Sequence, residues 1–157
     1  MLAVSDTSPI CYLILIDQIS LLSELCNRVV IPQAVYEELL ATGSPNSVQN
    51  WLQEKPTWLE VQKVRIFLDE SLNFLDSGER EAIILAKQLQ ADLILVDERQ
   101  GRQIALEKGL KVVGLLGILG TAANEGLINF PTVIADLQKT NFWVSPKLLK
   151  SLLEKYS

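Results

Sequence analysis

Short apolar runs that alternate with helical patterns constrain the fold of this chain more than any other feature. The clearest run, residues 93–96, is apolar at every position, which is typical of a strand whose sheet is covered by helices on both faces. Residues 2–5 form a second short apolar run, and helical patterns follow both runs. Repeated strand–helix units of this kind predict an α/β fold with a central, mainly parallel sheet.

The remaining elements follow from the same patterns and from residues that start or stop helices. Ser8 and Pro9 are predicted to cap and open the first helix, and Gly109 and Gly126 to end two later ones. Strands are predicted at 2–5, 28–31, 58–64, 93–96 and 111–113, and helices at 9–16, 19–25, 32–41, 47–54, 77–90, 99–108, 115–125, 131–139 and 146–155. No repeat or long linker divides the chain, so a single domain over residues 1–157 is expected.

Composition excludes several classes of chemistry. The chain has no histidine, which excludes histidine-based triads, histidine general bases and histidine-rich zinc sites. It also has no glycine-rich phosphate loop of the common spacings. Cys11 and Cys26 lack metal-site spacing, and both are predicted to be buried thiols.

The apolar runs and the charge limit location and partners. No apolar stretch is long enough to span a bilayer, and Met1 leads into a strand pattern without a basic leader. A cytoplasmic protein with no membrane partner is therefore expected. The net charge of −5 disfavours general nucleic-acid binding, which normally uses a basic surface.

Two predicted strands run directly into an aspartate. Asp6 follows residues 2–5, and Asp97 follows residues 93–96. Parallel α/β sheets bind ligands at the carboxyl ends of their strands, so both carboxylates are expected beside the ligand crevice. The alternative is that each aspartate caps the next helix, because aspartate is a strong N-cap residue.

Two predicted helices carry a glutamate on the face that should point to the core. Glu79 lies three and four residues before Ala82 and Ile83, and Glu38 lies three residues after Val35. A carboxylate on such a face is costly unless it has a partner. Glu79 could instead be a first-turn acid that favours the helix dipole, and Glu38 could pair with an arginine or lysine.

If the four acids converge, their mutual repulsion requires a cation. Ligand sets made only of oxygen select hard ions, so Mg²⁺ or Mn²⁺ is expected rather than zinc. Such an ion activates water and stabilises charge on a phosphate, so phosphodiester hydrolysis would need no histidine.

The order of these signals resembles that of the PIN domain family, and in particular its compact prokaryotic members that include VapC-type toxins. The matching stretches are VSDTSPI, IPQAVYEEL and LDSGEREAIILAKQLQADLILVDE. The resemblance is strongest over residues 1–125, with residues 126–157 expected as C-terminal helices. It implies a three-layer α/β/α sandwich whose metal ligands and catalytic residues are Asp6, Glu38, Glu79 and Asp97.

The resemblance also implies an activity and partners. The activity would be Mg²⁺- or Mn²⁺-dependent endoribonucleolytic cleavage of RNA, with Asp6, Glu38 and Asp97 as principal ligands and Glu79 at a second metal or the attacking water. A homodimer through residues 13–16 and 19–25 would be expected, and, for a toxin, an antitoxin that covers the acidic site.

Some residues depart from the PIN pattern. The third acid of the family is usually aspartate, whereas this chain has Glu79, and the Thr-x-Asp of the fourth acid is Leu95-Val96-Asp97. Glu98 would be a first-turn helix acid or, alternatively, a fifth acid that reaches metal through water.

Alternatives remain open at this point. A basic rim for RNA is expected from Arg80, Lys87, Arg99 and Arg102. One rival interpretation is a catalytically inactive PIN-like scaffold that acts through dimerisation or partner binding. The other is a phosphoacceptor receiver-like domain, which is disfavoured because no lysine ends the strand at 111–113.

Overall fold

The computed structural model of the protein describes residues 1–65 and 69–157, and within them five strands form one sheet. The strands are β1 (Leu2–Ser5), β2 (Arg28–Pro32), β3 (Leu59–Gln62), β4 (Leu93–Leu95) and β5 (Val112–Val113). Their order is β3-β2-β1-β4-β5, and every neighbouring pair is parallel. All five predicted strands are therefore confirmed, with ends that differ by a few residues.

Helices cover both faces of this sheet. They are α1 (Thr7–Leu15), α2 (Leu21–Leu25), α3 (Gln33–Leu40), α4 (Asn46–Gln53), α5 (Ser77–Leu89), α6 (Arg99–Glu107), α7 (Leu115–Asn124), α8 (Phe130–Gln138) and α9 (Pro146–Tyr156), with a short 3-10 helix at Glu70–Leu72. Helices α5 and α6 contribute to the apolar cluster on one face, and the other α-helices pack in the cluster on the opposite face. The protein is thus the three-layer α/β/α sandwich that the sequence predicted.

The first helix starts earlier than predicted. Asp6 is the N-cap residue and Thr7 the first helical residue, instead of Ser8 and Pro9. The backbone N–H of Asp6 still donates to the carbonyl of Leu95 at 2.9 Å, so the strand passes into the helix without a turn. Pro9 then lies in the first turn, where its missing N–H is tolerated.

Other helix ends follow the rules used for the sequence. Gly109 and Gly126, just after α6 and α7, have φ values of +81° and +74°, which glycine adopts without steric cost. Asp76 caps α5 and Ser145 caps α9, each by accepting a backbone hydrogen bond. The Asp76 cap fixes where α5, the helix that carries Glu79, begins.

The strand order places the site at the middle of the sheet. β1 is central and pairs with both β2 and β4, so the residues after β1 and β4 are neighbours at one edge. This order differs from the 2-1-3-4-5 order of receiver-like folds, which removes that rival interpretation.

Part of the predicted dimer surface, residues 13–16 and 19–25, is buried within the same chain. Leu13, Ile16, Ile19, Leu21 and Leu22 are each at most 8% exposed, in the core of the same chain. They are therefore not available to bury against a second copy.

Among residues 1–65 and 69–157, no helix has both the length and the apolar character needed to cross a membrane.

Glu81 ties α5 to α3. Its Oε1 accepts a hydrogen bond from the backbone N–H of Ala34 at 3.1 Å, in the first turn of α3, whose own N-cap residue Pro32 provides no side-chain acceptor. An acid of one helix therefore supplies the cap of another, and this contact holds in register the helix that carries Glu38.

We expect Glu81→Ala to lower the free energy of unfolding by about 1 kcal/mol, because it leaves a helix N–H without its acceptor. Urea denaturation followed by circular dichroism measures this. The control is Glu37→Ala on the exposed side of α3, which should change stability by less than about 0.5 kcal/mol. Equal losses in the two variants would contradict the assigned role.

Candidate metal centre

One pocket collects all four acids that the sequence singled out. It has a volume of about 450 Å³ and lies at the carboxyl ends of β1 and β4. The residues that line it are Asp6, Thr7, Ser8, Cys11, Tyr12, Glu38, Asp76, Glu79, Asp97 and Glu98. The term acid pocket is used below for this set.

Asp6 is the most deeply placed aspartate of the acid pocket. It is 5% exposed, and although it is the N-cap residue of α1, its carboxylate makes no capping hydrogen bond. Burial raises its pKa to about 7; the nearby Thr7 backbone amide opposes the rise, and the charges of Asp76, Glu38 and Asp97 add to it. Helix capping therefore does not account for this aspartate.

Glu38 reaches the pocket from α3. As a residue it is exposed, which corrects the prediction that it lies on the buried face, yet its carboxylate is directed inward. Its Oε2 accepts a hydrogen bond from the Thr7 hydroxyl at 2.8 Å. The expected alternative, an ion pair with arginine or lysine, is not formed among the described residues.

Gly78 provides the space in which Glu38 and Asp6 approach each other. A Cβ atom built on Gly78 would lie 2.8 Å from Glu38 Oε2 and 3.2 Å from both Asp6 Oδ1 and Thr7 Oγ1. The two carboxylates, one at the start of α1 and one in α3, therefore face the same small volume. A side chain at position 78 would fill that volume.

Glu79 has the least favourable surroundings for a charged carboxylate in the acid pocket. It is 6% exposed, and its Oε2 is buried with no hydrogen-bond partner among the described residues. Burial raises its pKa to about 9, and Asp76, Asp6 and Glu98 add to the rise. A Cβ atom on Gly101 of α6 would lie 2.5 Å from Glu79 Oε2, so this glycine makes the longer glutamate side chain possible.

Asp97 is held by neighbours on two helices. Its Oδ1 accepts from the Leu115 backbone N–H at 2.8 Å, and its Oδ2 accepts from the Ser8 hydroxyl at 3.3 Å. Burial raises its pKa, while these two hydrogen bonds and the charge of Arg102 oppose the rise. Ser8 thus provides a hydroxyl near the fourth acid, where the family pattern has a threonine two residues earlier.

Two further acids line the pocket. Asp76, which is not among the predicted site residues, is the N-cap residue of α5 and accepts from the Glu79 backbone N–H at 2.8 Å. Glu98 is the N-cap residue of α6, one position before the predicted first turn, and accepts from the Gly101 backbone N–H at 2.9 Å. Both caps stand beside Glu79, and the sequence signal for them was only that each precedes a helix whose first turn belongs to the site.

The predicted basic rim is smaller than expected. Arg80 donates to the carbonyls of Leu72 and Leu75, and Lys87 donates to the carbonyl of Lys108. Both are engaged in structure away from the acid pocket, and Arg99, the first residue of α6, is exposed. Arg102 remains beside Asp97, with its Nη1 donating to the Val96 carbonyl at 2.8 Å.

The cysteines divide in their environments. Cys26 is buried, as predicted, whereas Cys11 is only half-buried and lines the acid pocket. Burial raises the pKa of both thiols. Cys11 therefore adds no negative charge near neutral pH.

The donor set suits a hard divalent cation. Its acids offer only oxygen, the chemistry that Mg²⁺ and Mn²⁺ prefer, and Glu79 Oε2 is a buried acceptor without a partner. As residues 1–65 and 69–157 are placed, no group of three or more Cys, Asp or Glu side chains could hold a metal ion. Like-charged carboxylates repel, which favours spread and protonated arrangements over a chelating one.

We expect Glu79→Gln to stabilise the metal-free protein by an amount that grows from pH 5 to pH 8. The folded-state pKa of Glu79, about 9, lies above its ordinary value of 4.5. The stability that follows from its protonation is complete below pH 4.5 and is lost as the pH rises toward 9. Glutamine carries no such loss, so the difference should rise by up to about 1.4 kcal/mol per pH unit.

Chemical denaturation in EDTA at several pH values measures this difference. Glu107→Gln, an exposed acid near the end of α6, is the matched control and should show no pH-dependent gain. A difference for Glu79→Gln that stays flat with pH would contradict the assignment of a buried, unpartnered carboxyl.

Comparison with known proteins adds an independent line of evidence. A family model described as a PIN domain matches residues 2–157. The structure is similar to that of a PilT N-terminus domain protein, SSO1118, from the hyperthermophilic archaeon Sulfolobus solfataricus P2, with a TM-score of 0.52 and 16% identity over 92% of this chain and 100% of that chain. That likeness concerns the fold, and no curated protein matches the chain. With the family model matched over nearly its whole length, the chain belongs to the PIN domain family, whose members are generally nucleases that use divalent metal ions.

Proposed function

We propose that this protein is a Mg²⁺- or Mn²⁺-dependent endoribonuclease and that residues 1–157 form its single catalytic domain. The observation that carries the proposal is that six carboxylates line one pocket and that two of them, Asp6 and Glu79, are buried and form no ion pair with lysine or arginine among the described residues. Burying carboxylates beside further acids is costly unless a ligand compensates for their negative charge. A divalent cation is the simplest ligand that does so.

The four predicted acids would share the metal-binding task. Asp6, Glu38 and Asp97 would be the principal ligands, and Glu79 would hold a second ion or orient the attacking water. When bound, the ion supplies positive charge that favours a nucleophilic water and stabilises the charge on the phosphate and its leaving oxygen.

The surrounding residues prepare these acids. The Thr7 hydroxyl holds Glu38, and the Ser8 hydroxyl with the Leu115 N–H holds Asp97. These donors orient Glu38 and Asp97, but no three of the described acids are placed to hold an ion, so metal binding would still draw the carboxylates together. Gly78 and Gly101 keep the space between the acids open.

RNA is the proposed substrate, and a bound metal would offset part of the local negative charge. The chain carries a net charge of −5, so affinity for RNA in general would be weak and selectivity would come from a structured or delivered substrate. If the protein is the toxin of a cytoplasmic toxin–antitoxin pair, the antitoxin would block the acid pocket, for example with an arginine. A homodimer would then use the partly exposed residues of α1 and α2 or another surface.

A second candidate function is a catalytically inactive PIN scaffold that acts through dimerisation or partner binding. The observation that favours it is the absence, among the described residues, of a preformed group of three metal-binding side chains. Glu79, where the family pattern has aspartate, points in the same direction. The two candidates differ in whether the folded chain binds a divalent cation.

Isothermal calorimetry with Mn²⁺ distinguishes them. We expect the native chain to bind Mn²⁺ and the Asp6→Asn, Asp97→Asn double variant to lose binding, because two principal ligands become neutral. Glu107→Gln should bind like the native chain. No binding by the folded native protein would favour the inactive scaffold.

Cleavage of a mixed pool of RNA tests the activity itself. We expect metal-dependent cleavage that Asp6→Asn reduces by more than about 100-fold, since even residues that only support a ligand change activity by 10- to 100-fold. Glu107→Gln should leave cleavage unchanged. Full metal-dependent cleavage by Asp6→Asn would show that the ligand assignment is wrong.

A further inference from the structure

A second cavity adjoins the acid pocket and shares Asp97 with it. Its volume is about 420 Å³, and Asp97, Arg102, Gly114 and the segment 142–145 form much of its wall. Since Asp97 lines both cavities, a molecule that extends over the acid pocket on this side would reach this cavity. The name flanking cavity is used below for it.

The most unusual residue of the flanking cavity is Trp143, which is 78% exposed. The other two tryptophans, Trp51 and Trp58, are partly buried, pack against the core and lie 6.0 Å apart between ring centroids. Tryptophan is highly buried on average in folded proteins. Because this exposed indole lines a cavity, its ring is available to stack on a molecule that enters the cavity.

Contacts with Tyr12 of α1 hold the segment that carries Trp143. The preceding residue, Phe142, packs edge-to-face against Tyr12 with ring centroids 5.0 Å apart, and the Tyr12 hydroxyl donates to Asn141 Oδ1 at 2.6 Å. Tyr12 itself lines the acid pocket. The side chain that borders the acids thus also anchors the segment that presents Trp143.

Arg102 supplies a positive charge in the lining of the same cavity. Its Nη1 donates to the Val96 carbonyl at 2.8 Å, which holds the guanidinium across the end of β4. A Cβ atom on Gly114 would lie 2.7 Å from this Nη1 and 2.9 Å from Asp97 Oδ1. Glycine at position 114 therefore leaves the arginine and the acid open to the cavity.

An exposed aromatic ring and a fixed arginine beside a phosphate-processing site are the two elements of single-stranded nucleic-acid binding. Aromatic side chains stack on bases, and arginine pairs with phosphate. A protein partner could also bind Trp143. Its binding would not require an arginine and a set of carboxylates next to the indole. We propose that the flanking cavity binds one nucleotide of single-stranded RNA, with its base stacked on Trp143 and a neighbouring phosphate paired with Arg102.

This inference rests on the proposed function for its choice of RNA, and it narrows that substrate. Bases in an A-form duplex are already stacked on one another, so they are not available to Trp143. The substrate would then be a single strand, a loop or an end, with an unpaired base next to the bond over the acid pocket.

The test measures binding separately from cleavage. The Asp6→Asn background prevents cleavage, and the affinity of a fluorescein-labelled eight-nucleotide oligouridylate is measured by anisotropy in Mg²⁺ at low salt. Three proteins are compared: the background itself, the same chain with Trp143→Phe, and the same chain with Trp143→Ala. Thermal denaturation checks that the exposed substitutions leave the fold unchanged.

We expect Trp143→Ala to weaken binding by about 5- to 150-fold, the range for loss of one base–aromatic stack, and Trp143→Phe to weaken it less. An oligonucleotide of the same length with abasic sites removes the stacking partner. All three proteins should bind it with equal affinity, a result that loss of local structure alone would not produce.

Other outcomes overturn the inference. Equal affinity of the three proteins for oligouridylate would do so and would leave Trp143 for a protein partner. A loss in Trp143→Ala that persists with the abasic strand, or no binding by the background protein, would do so as well. Failure here leaves the metal calorimetry and the cleavage assay intact, and failure of those assays does not change this binding measurement.

Discussion

Electrostatic repulsion among carboxylates is the constraint on which the rest of the site depends. Bringing Asp6 and Glu79 below the surface beside further acids raises the pKa of both far above ordinary values, so the fold must hold them against their own repulsion. A hydroxyl donor holds the neighbouring Glu38 and a backbone N–H holds Asp97, and glycines stand where a side chain would collide with the acids. The apolar layers on both faces of the sheet supply the burial free energy that offsets this local cost.

The sheet order turns distant sequence positions into neighbours. β1 pairs with β4, so acids that are 91 residues apart, Asp6 and Asp97 (97 − 6), stand at one edge. Tyr12 and Ser8 of α1 then extend this edge: the hydroxyl of Ser8 holds Asp97, and Tyr12 supports the segment with Trp143. One helix therefore connects the proposed catalytic acids with the proposed nucleotide-binding surface.

Much of this could be predicted from the sequence because burial and chain geometry leave a direct pattern. A continuous apolar run at 93–96 specified a buried strand, and the acid after it specified a place at the sheet edge. The side-chain environments were less accessible. Glu38 was expected to be buried but is exposed with its carboxylate turned inward, since helical periodicity gives the direction of a Cβ atom and not the path of a long side chain. Asp76 at the pocket and Trp143 beside it depend on how helices pack, which local patterns do not encode.

The division of the acids between the two halves of the chain also has a consequence for synthesis. Asp6 and Glu38 leave the ribosome first, but β4 must pair with β1 before Asp97 can join them, and α7 must form before the Leu115 N–H can hold it. A nascent chain therefore lacks a complete acid pocket until most of its length has emerged. If the protein cleaves RNA as proposed, this order of folding delays the activity until most of the polypeptide has left the ribosome.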